Sequence, residues 1–220
     1  MQSFKKQLLW LTIWGVAFAL IEAAVVVYLR QIYFPEGFSF PPLPTDGQLI
    51  KIELLRELAT IVIMWSVAEL SRIQFTEKLA VFMILFGVWD IFYYLFLKLF
   101  IGWPASLATW DVLFLIPVVW VGPVWSPVLI SICLISAGVI GLFCGWNKIN
   151  FQPTVFIWVC ELIAMVLVIS SFIIPGIQTF QNQGPASYPW GLLIAGLVFG
   201  LSVFGYHLYS LRITHRTGSE

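Results

Sequence analysis

Long apolar stretches recur along this chain of 220 residues, and most have the length of a helix that crosses a membrane. A hydrocarbon core about 30 Å thick needs roughly 20 apolar residues in a helix, whose backbone hydrogen bonds are all internal. The sequence is 60% hydrophobic and only 10% charged, whereas soluble domains are about 25% charged. These features predict an all-α fold, a polytopic bundle of membrane helices.

We predict about six transmembrane helices in a single integral membrane domain covering residues 1–220. The fourth region is longer than one span needs and is broken by prolines, so we expect an interrupted segment leading into a full helix from about residue 126. The fifth span is expected to end at Pro175. The predicted spans cover about 7–29, 49–70, 79–102, 112–144, 154–174 and 190–211.

The distribution of Lys and Arg predicts the orientation, because cytoplasmic segments carry an excess of positive charge. With the N-terminus inside, segments on that side hold Lys5, Lys6, Arg72, Lys78, Lys148, Arg212 and Arg216. The opposite loop 175–189 has no Lys or Arg. We therefore predict that the N and C termini are both cytoplasmic, and we expect the protein in a bacterial inner (plasma) membrane.

This topology gathers ionisable residues in the outer half of the bundle. The acids are Glu22, Glu53, Glu57, Asp90 and Asp111, and the bases are Arg30, Lys51, Arg56 and Lys98. The uncharged run 58–68 of the second span has only eleven residues, about 17 Å of helix. Glu53 and Glu57 therefore fall within the nominal core, on one helical face, and should point into the bundle because charge facing lipid is costly.

Asp90 lies near the middle of the third predicted span, with Tyr94 and Lys98 on the same helical stripe. A carboxylate at that depth needs a partner, and Arg56 and Lys98 are the expected ones. Two Trp-Asp pairs, at residues 89–90 and 110–111, each set a carboxylate beside an indole. Such mixed surfaces suit a quinone, a lipid headgroup, a sugar or a quaternary amine.

These observations define a candidate binding or ion-pair cluster of ten residues. Its members are Glu22, Arg30, Glu53, Arg56, Glu57, Asp90, Tyr94, Lys98, Trp110 and Asp111. Two interpretations stay open: a structural network of ion pairs, or a polar cavity in which one excess carboxylate leaves room for a proton or a cation. No catalytic residue is assigned.

Several kinds of site have no pattern in the sequence. There are only two histidines, which excludes a bis-His haem inside the membrane, and we expect no metal site and no cofactor, although quinone or lipid fits the aromatic surfaces. The net charge is zero, so we expect no nucleic-acid partner. Glu161 and His207 are interpreted as buried hydrogen-bonding groups rather than a proton relay.

Three functions remain after these exclusions, and the sequence does not decide whether the chain is an enzyme. The leading hypothesis is an accessory subunit of a larger membrane assembly, such as a respiratory complex, that contacts lipid or quinone and other membrane subunits. Its support is the lack of an extended soluble part, and two loops that could dock a partner, 31–48 and 175–189. The alternatives are a stand-alone transporter or binder of a small ion or amphiphile, and an intramembrane lipid-modifying enzyme using carboxylate acid/base chemistry.

Overall fold

The computed structural model describes residues 3–33, 47–149, 151–182 and 187–217, with side chains placed up to 179 in the third range and up to 211 in the last. The described chain forms six helices and one two-stranded sheet. The elements are α1 (Phe4–Tyr33), α2 (Gly47–Ser71), α3 (Phe75–Ile101), β1 (Trp110–Phe114), β2 (Trp120–Pro123), α4 (Trp125–Trp146), α5 (Val155–Asn182) and α6 (Trp190–Thr217). Residues 34–46 and 183–186, the central parts of the two predicted docking loops, lie outside the described residues.

Five of the helices are long and apolar enough to cross a membrane, as in an integral membrane protein: α1, α3, α4, α5 and α6. These five helices confirm the prediction of a bundle of helices with the length and composition of membrane spans. Helix α2 is continuous over 25 residues, but charged residues between Lys51 and Glu69 interrupt its apolar character. Its role as a membrane span therefore stays a prediction. The cytoplasmic location of the termini also stays a prediction.

The predicted interruption of the fourth region is a β-hairpin rather than a kinked helix. Strands β1 and β2 pair antiparallel, with Asp111 opposite Gly122 and Val112 opposite Val121. Pro123 is the last residue of β2, a position that needs no further ladder hydrogen bond from its nitrogen. The predicted full helix from about residue 126 corresponds to α4, which begins at Trp125. The hairpin defines one end of the bundle, which we call the hairpin end.

The expected end of the fifth span at Pro175 is wrong, because α5 continues through this proline to Asn182. Proline removes one helical hydrogen bond, but membrane helices tolerate it where neighbouring groups satisfy the freed carbonyl. The next residue, Gly176, lies directly against the carbonyl of Val119 in the hairpin, and a Cβ there would collide with that oxygen. Helix α5 thus extends far enough to pack on the hairpin.

Helix α3 lies at the centre of the bundle and packs against α1, α2 and α4. Small residues bring α3 and α4 close together: a Cβ on Gly138 would lie 2.6 Å from the Ala80 carbonyl oxygen, and one on Gly87 would lie 2.7 Å from that of Ser131. Membrane helices associate by such close packing, since lipid is as apolar as the helix surfaces.

The opposite end of the bundle, which we call the terminal end, is fastened by a polar group. The Gln7 side-chain oxygen accepts hydrogen bonds from Arg72 and from Trp146 Nε1, the latter at 2.8 Å. Arg72 Nη1 is also 3.7 Å from Glu77 Oε2, and its guanidinium lies over the Trp146 ring. These contacts join α1, α4 and both sides of the α2–α3 turn.

Helices α5 and α6 form a pair that packs mainly on itself and on strand β2. A Cβ on Gly196 would lie 3.0 Å from the Ala164 carbonyl oxygen, so glycine again permits close approach of two helices. At the hairpin end the pair is fixed by aromatic contacts: Trp120 stacks on Phe172, and Trp125 stacks on Trp190. At the terminal end, Phe75 of α3 contacts Trp158 of α5, with 5.8 Å between the ring centroids.

Candidate functional site

Arg56 of α2 holds two of the predicted acids. Its Nη1 donates to Glu22 Oε2 of α1, and its Nε donates to Glu53 Oε2 on its own helix at 2.9 Å. Thr60, one turn further along α2, donates to Glu22 Oε1 at 3.2 Å. The Glu22 side chain is only 8% exposed. Its charge is therefore paired and hydrogen-bonded, as burial of a carboxylate requires.

Glu57 is held by the hairpin instead of by an arginine. Its Oε2 accepts the backbone N–H of Leu115 at 2.8 Å, in the loop that follows β1. Glu57 is buried and forms no ion pair among the described residues. Glu53 and Glu57, predicted to share a face, thus have different partners and join α2 to different neighbours.

A second ionic group joins α1 to the hairpin. Arg30 Nη2 lies 3.7 Å from Asp111 Oδ1, and the Arg30 guanidinium lies 3.8 Å above the Trp103 ring. The Tyr94 hydroxyl of α3 donates to Asp111 Oδ2 at 3.3 Å. Burial raises the pKa of Asp111 to about 6, against the opposing effect of the Arg30 charge. Ionised Asp111 is thus stabilised by a cation and a hydroxyl, but not enough to offset its loss of water.

The expected ion pair of Asp90 is wrong. Asp90 Oδ2 accepts a 2.7 Å hydrogen bond from Ser131 of α4, and Asp90 forms no ion pair among the described residues. Arg56 is engaged with the two glutamates described above. Lys98 is exposed and donates to the carbonyls of Gly102 and Pro104, at 3.1 and 2.9 Å, so it closes the end of α3.

The ten predicted residues therefore separate into groups. Glu22, Glu53 and Arg56 form one ion-pair group, and Arg30, Tyr94 and Asp111 form the other. Tyr93 was not among the predicted site residues, yet it interacts electrostatically with both groups. Its position four residues after Trp89, on the same helical face, was the available signal. Trp110 contacts Tyr188 edge-on at 6.2 Å, on the α5–α6 side of the hairpin.

Two indole N–H groups are buried without a hydrogen-bond partner in the hairpin half, by which we mean the part of the bundle that contains the hairpin and both ion-pair groups. They are Trp89 Nε1 of α3 and Trp120 Nε1 of β2. Phe114 lies between the two rings, with centroid distances of 6.3 Å to Trp89 and 5.9 Å to Trp120. Buried indole N–H groups usually donate to a hydrogen-bond acceptor. These two N–H groups therefore remain without the acceptor that such groups normally have.

A cavity of about 300 Å³ lies between α3–α4 and α5–α6, on the terminal-end side of the hairpin contacts. Its walls are almost entirely apolar, but Glu161 of α5 and His207 of α6 both line it. The interpretation of these two side chains as hydrogen-bonding groups is wrong, because neither side chain makes a hydrogen bond among the described residues. Each is a lone polar residue in an apolar stretch of sequence, and only the packing of the helices brings both to one cavity.

Within the described ranges, no group of three or more His, Cys, Asp or Glu side chains could hold a metal ion. Searches for similar proteins found no matching family model, no matching curated protein and no matching solved structure. The inference of function therefore depends on the geometry alone.

Proposed function

We propose that this integral membrane protein binds the headgroup of a membrane amphiphile in the hairpin half of its bundle. One observation carries the proposal. Among the five acids of the predicted cluster, Glu22, Glu53 and Asp111 form ion pairs with arginines, whereas Glu57 and Asp90 form none among the described residues. Arg56 attracts Glu57 only from beyond ion-pair distance. A purely structural network of ion pairs has no need of two buried acids outside its pairs.

The two acids outside the ion pairs and the two free indole N–H groups indicate the chemistry of the headgroup. Glu57 and Asp90 favour a ligand that supplies a positive charge or hydroxyl donors. The free indole N–H groups of Trp89 and Trp120 favour a ligand that also supplies acceptor oxygens. A lipid headgroup with an ammonium or hydroxyl group beside a phosphate offers both, whereas an oxidised quinone offers acceptors only. Of the predicted ligands, lipid fits this half of the protein better than quinone.

The test compares lipids retained by the purified protein. We expect native mass spectrometry of the protein in detergent to show bound phosphatidylethanolamine after exchange from mixed lipids. Asp90→Asn and Glu57→Gln, which remove charge and keep shape, should each weaken retention about tenfold, the loss of one charge-assisted hydrogen bond. Glu69→Gln is the matched control, because Glu69 is an exposed acid paired with Lys78 at the terminal end. Equal retention of phosphatidylethanolamine by all three variants would contradict the proposal.

We also propose that the protein works within a larger membrane assembly, as the sequence predicts. The supporting feature is that most described residues belong to membrane-length helices or to the hairpin, which leaves little chain for a soluble catalytic part. The test is the particle mass after extraction from native membranes in a mild detergent. A stable monomer or dimer with no other protein would contradict this second part and leave the lipid proposal standing.

A further inference from the structure

The cavity between α3–α4 and α5–α6 is a second site, separate from the hairpin-half cluster. Its walls come from four helices, including Leu79 and Met83 of α3, Ala137 of α4 and Leu197 of α6. A volume of about 300 Å³ lies at the lower end of the range of small-molecule pockets. A cavity of about 150 Å³ is enough to hold a benzene ring in an engineered protein, so this one has room for two fused rings.

The His207 side chain lines this cavity, and one of its ring nitrogens has no hydrogen-bond partner. The residue is 4% exposed, and its Nε2 is fully buried without a hydrogen-bond partner. The ring is held edge-on to Phe151 with 4.7 Å between the centroids, so packing fixes its position. An unsatisfied buried polar group is destabilising, and a ligand that supplies the missing hydrogen bond removes this penalty.

Glu161 presents the second polar group. Its carboxylate lies against Gly200 of α6, where a Cβ would be 3.3 Å from Oε2. Glu161 forms no hydrogen bond or ion pair with the described residues. The cavity therefore contains one carboxyl and one imidazole, and both lack partners.

The spacing of the two groups limits the size of the ligand. Gly200, which marks the level of Glu161, precedes His207 by seven residues of helix, about 10 Å along the axis. A ligand that hydrogen-bonds to both side chains therefore needs polar atoms at opposite ends of a compact body, as a six-membered ring with two opposite oxygens has.

The two groups also limit the chemistry of the ligand. A carboxyl and an imidazole can each donate or accept a hydrogen bond, depending on protonation. A quinone accepts through both carbonyl oxygens and its reduced form donates through both hydroxyls, so either form can be satisfied at both ends. An acyl chain satisfies neither group. A free fatty acid has a single polar end and would satisfy only one of them.

We propose that this cavity binds the ring of a membrane quinone between His207 and Glu161. The ring fills the apolar space between the helix pairs, and its two oxygens hydrogen-bond to the imidazole and the carboxyl. This site does not depend on the lipid proposal, because it uses none of the acids or indole N–H groups of the hairpin half. The proposal concerns binding and assigns no electron transfer.

The probe is tail-free 1,4-naphthoquinone, titrated calorimetrically into the full-length protein in detergent. We expect saturable binding at one site. Glu161→Leu and His207→Phe should each weaken binding about tenfold, the loss of one hydrogen bond, while Glu161→Gln retains affinity because the amide still donates and accepts. If His207→Phe does not fold, His207→Leu replaces it, with the same tenfold loss expected.

A neighbouring pair of substitutions on α4 separates the cavity from the protein surface. Ala137 lines the cavity, whereas the adjacent Ser136 is exposed on the outside of the helix. Ala137→Trp should abolish binding by filling the space, and Ser136→Trp should leave it unchanged. Absence of naphthoquinone binding, equal binding by Ala137→Trp, or equal binding by Glu161→Leu and Glu161→Gln would each overturn the proposal. So would displacement of naphthoquinone by equimolar decanoic acid.

Discussion

The backbone N–H of Leu115 donates a 2.8 Å hydrogen bond to Glu57, and this bond ties the hairpin to the middle of α2. The two residues are 58 positions apart in the chain. Glu57 therefore has a defined structural role even if the lipid proposal fails. The bond also explains how a loop that contains Pro117 can be held against the helices without a partner strand on that side.

The first prediction concerns this bond. Glu57→Ala removes the acceptor and leaves the Leu115 amide unsatisfied, so we expect the free energy of unfolding to fall by about 1–3 kcal/mol. Glu57→Gln keeps an acceptor oxygen and should change it by less than about 0.5 kcal/mol. The measurement is denaturant unfolding in mixed micelles. Equal stability of the two variants would show that the hydrogen bond contributes nothing.

The second prediction concerns the pair Arg56–Glu22. Arg56→Met leaves the buried Glu22 carboxylate without its cation, and breaking a buried pair in this way costs about 3 kcal/mol. The double variant Arg56→Met/Glu22→Gln removes both charges and should be more stable than Arg56→Met alone. Double-mutant analysis of the unfolding free energies isolates this coupling. Simple additivity of the two single changes would be inconsistent with the ion pair.

The third prediction is that the stability of the fold depends on pH through Asp111. Burial raises the pKa of Asp111 to about 6. Aspartate in an unfolded chain has a pKa of about 3.9. Because the folded-state pKa is the higher of the two, protonated Asp111 favours folding; this contribution is complete below about pH 4 and is lost as the pH rises through about 6. The midpoint of unfolding should fall over that window, and Asp111→Asn should reduce the fall. An identical pH profile for the variant would refute the assignment.

The fourth prediction concerns the close packing of α3 on α4. Gly138→Leu would force a side chain against the Ala80 carbonyl and Ile84, so we expect a loss of about 1–3 kcal/mol of stability from overpacking. Gly205 of α6 has open space around its Cβ position, and Gly205→Leu is the matched control with little expected effect. Thermal unfolding of the two variants in the same detergent makes the comparison. Loss of the same size in both would trace to glycine replacement itself, not to this interface.

Much of the fold could be predicted because membrane helices leave a long and uniform signal. Runs of about 20 apolar residues have few other uses, and the prediction held for α1, α3, α4, α5 and α6. The position of the α2 charges within the nominal core, inferred from the length of the uncharged run 58–68, stays a prediction. It rests only on the rise of a helix and the thickness of the bilayer, which are the same for every chain.

The errors have local causes. The five residues of β1 are too few to show a strand period, so Pro117 was interpreted as a helix break. Pro175 was interpreted as a helix end because nothing in the sequence shows the hairpin contact at Gly176. The partner of Asp90 was sought among cations, while a hydroxyl on α4 takes that role. The cavity was missed because it is a property of the spacing between two helix pairs, which no single segment encodes.

The packing of α5–α6 mainly on itself and on β2 has a consequence for biosynthesis. The ribosome delivers the chain from its N-terminus, so α1–α4 and both hairpin strands are synthesised first. The contacts of α3 with α1, α2 and α4, and both ionic groups, involve only residues up to the end of α4 at Trp146. The first four helices can therefore assemble before α5 emerges, and the exposed face of β2 then serves as the template on which the last helix pair docks.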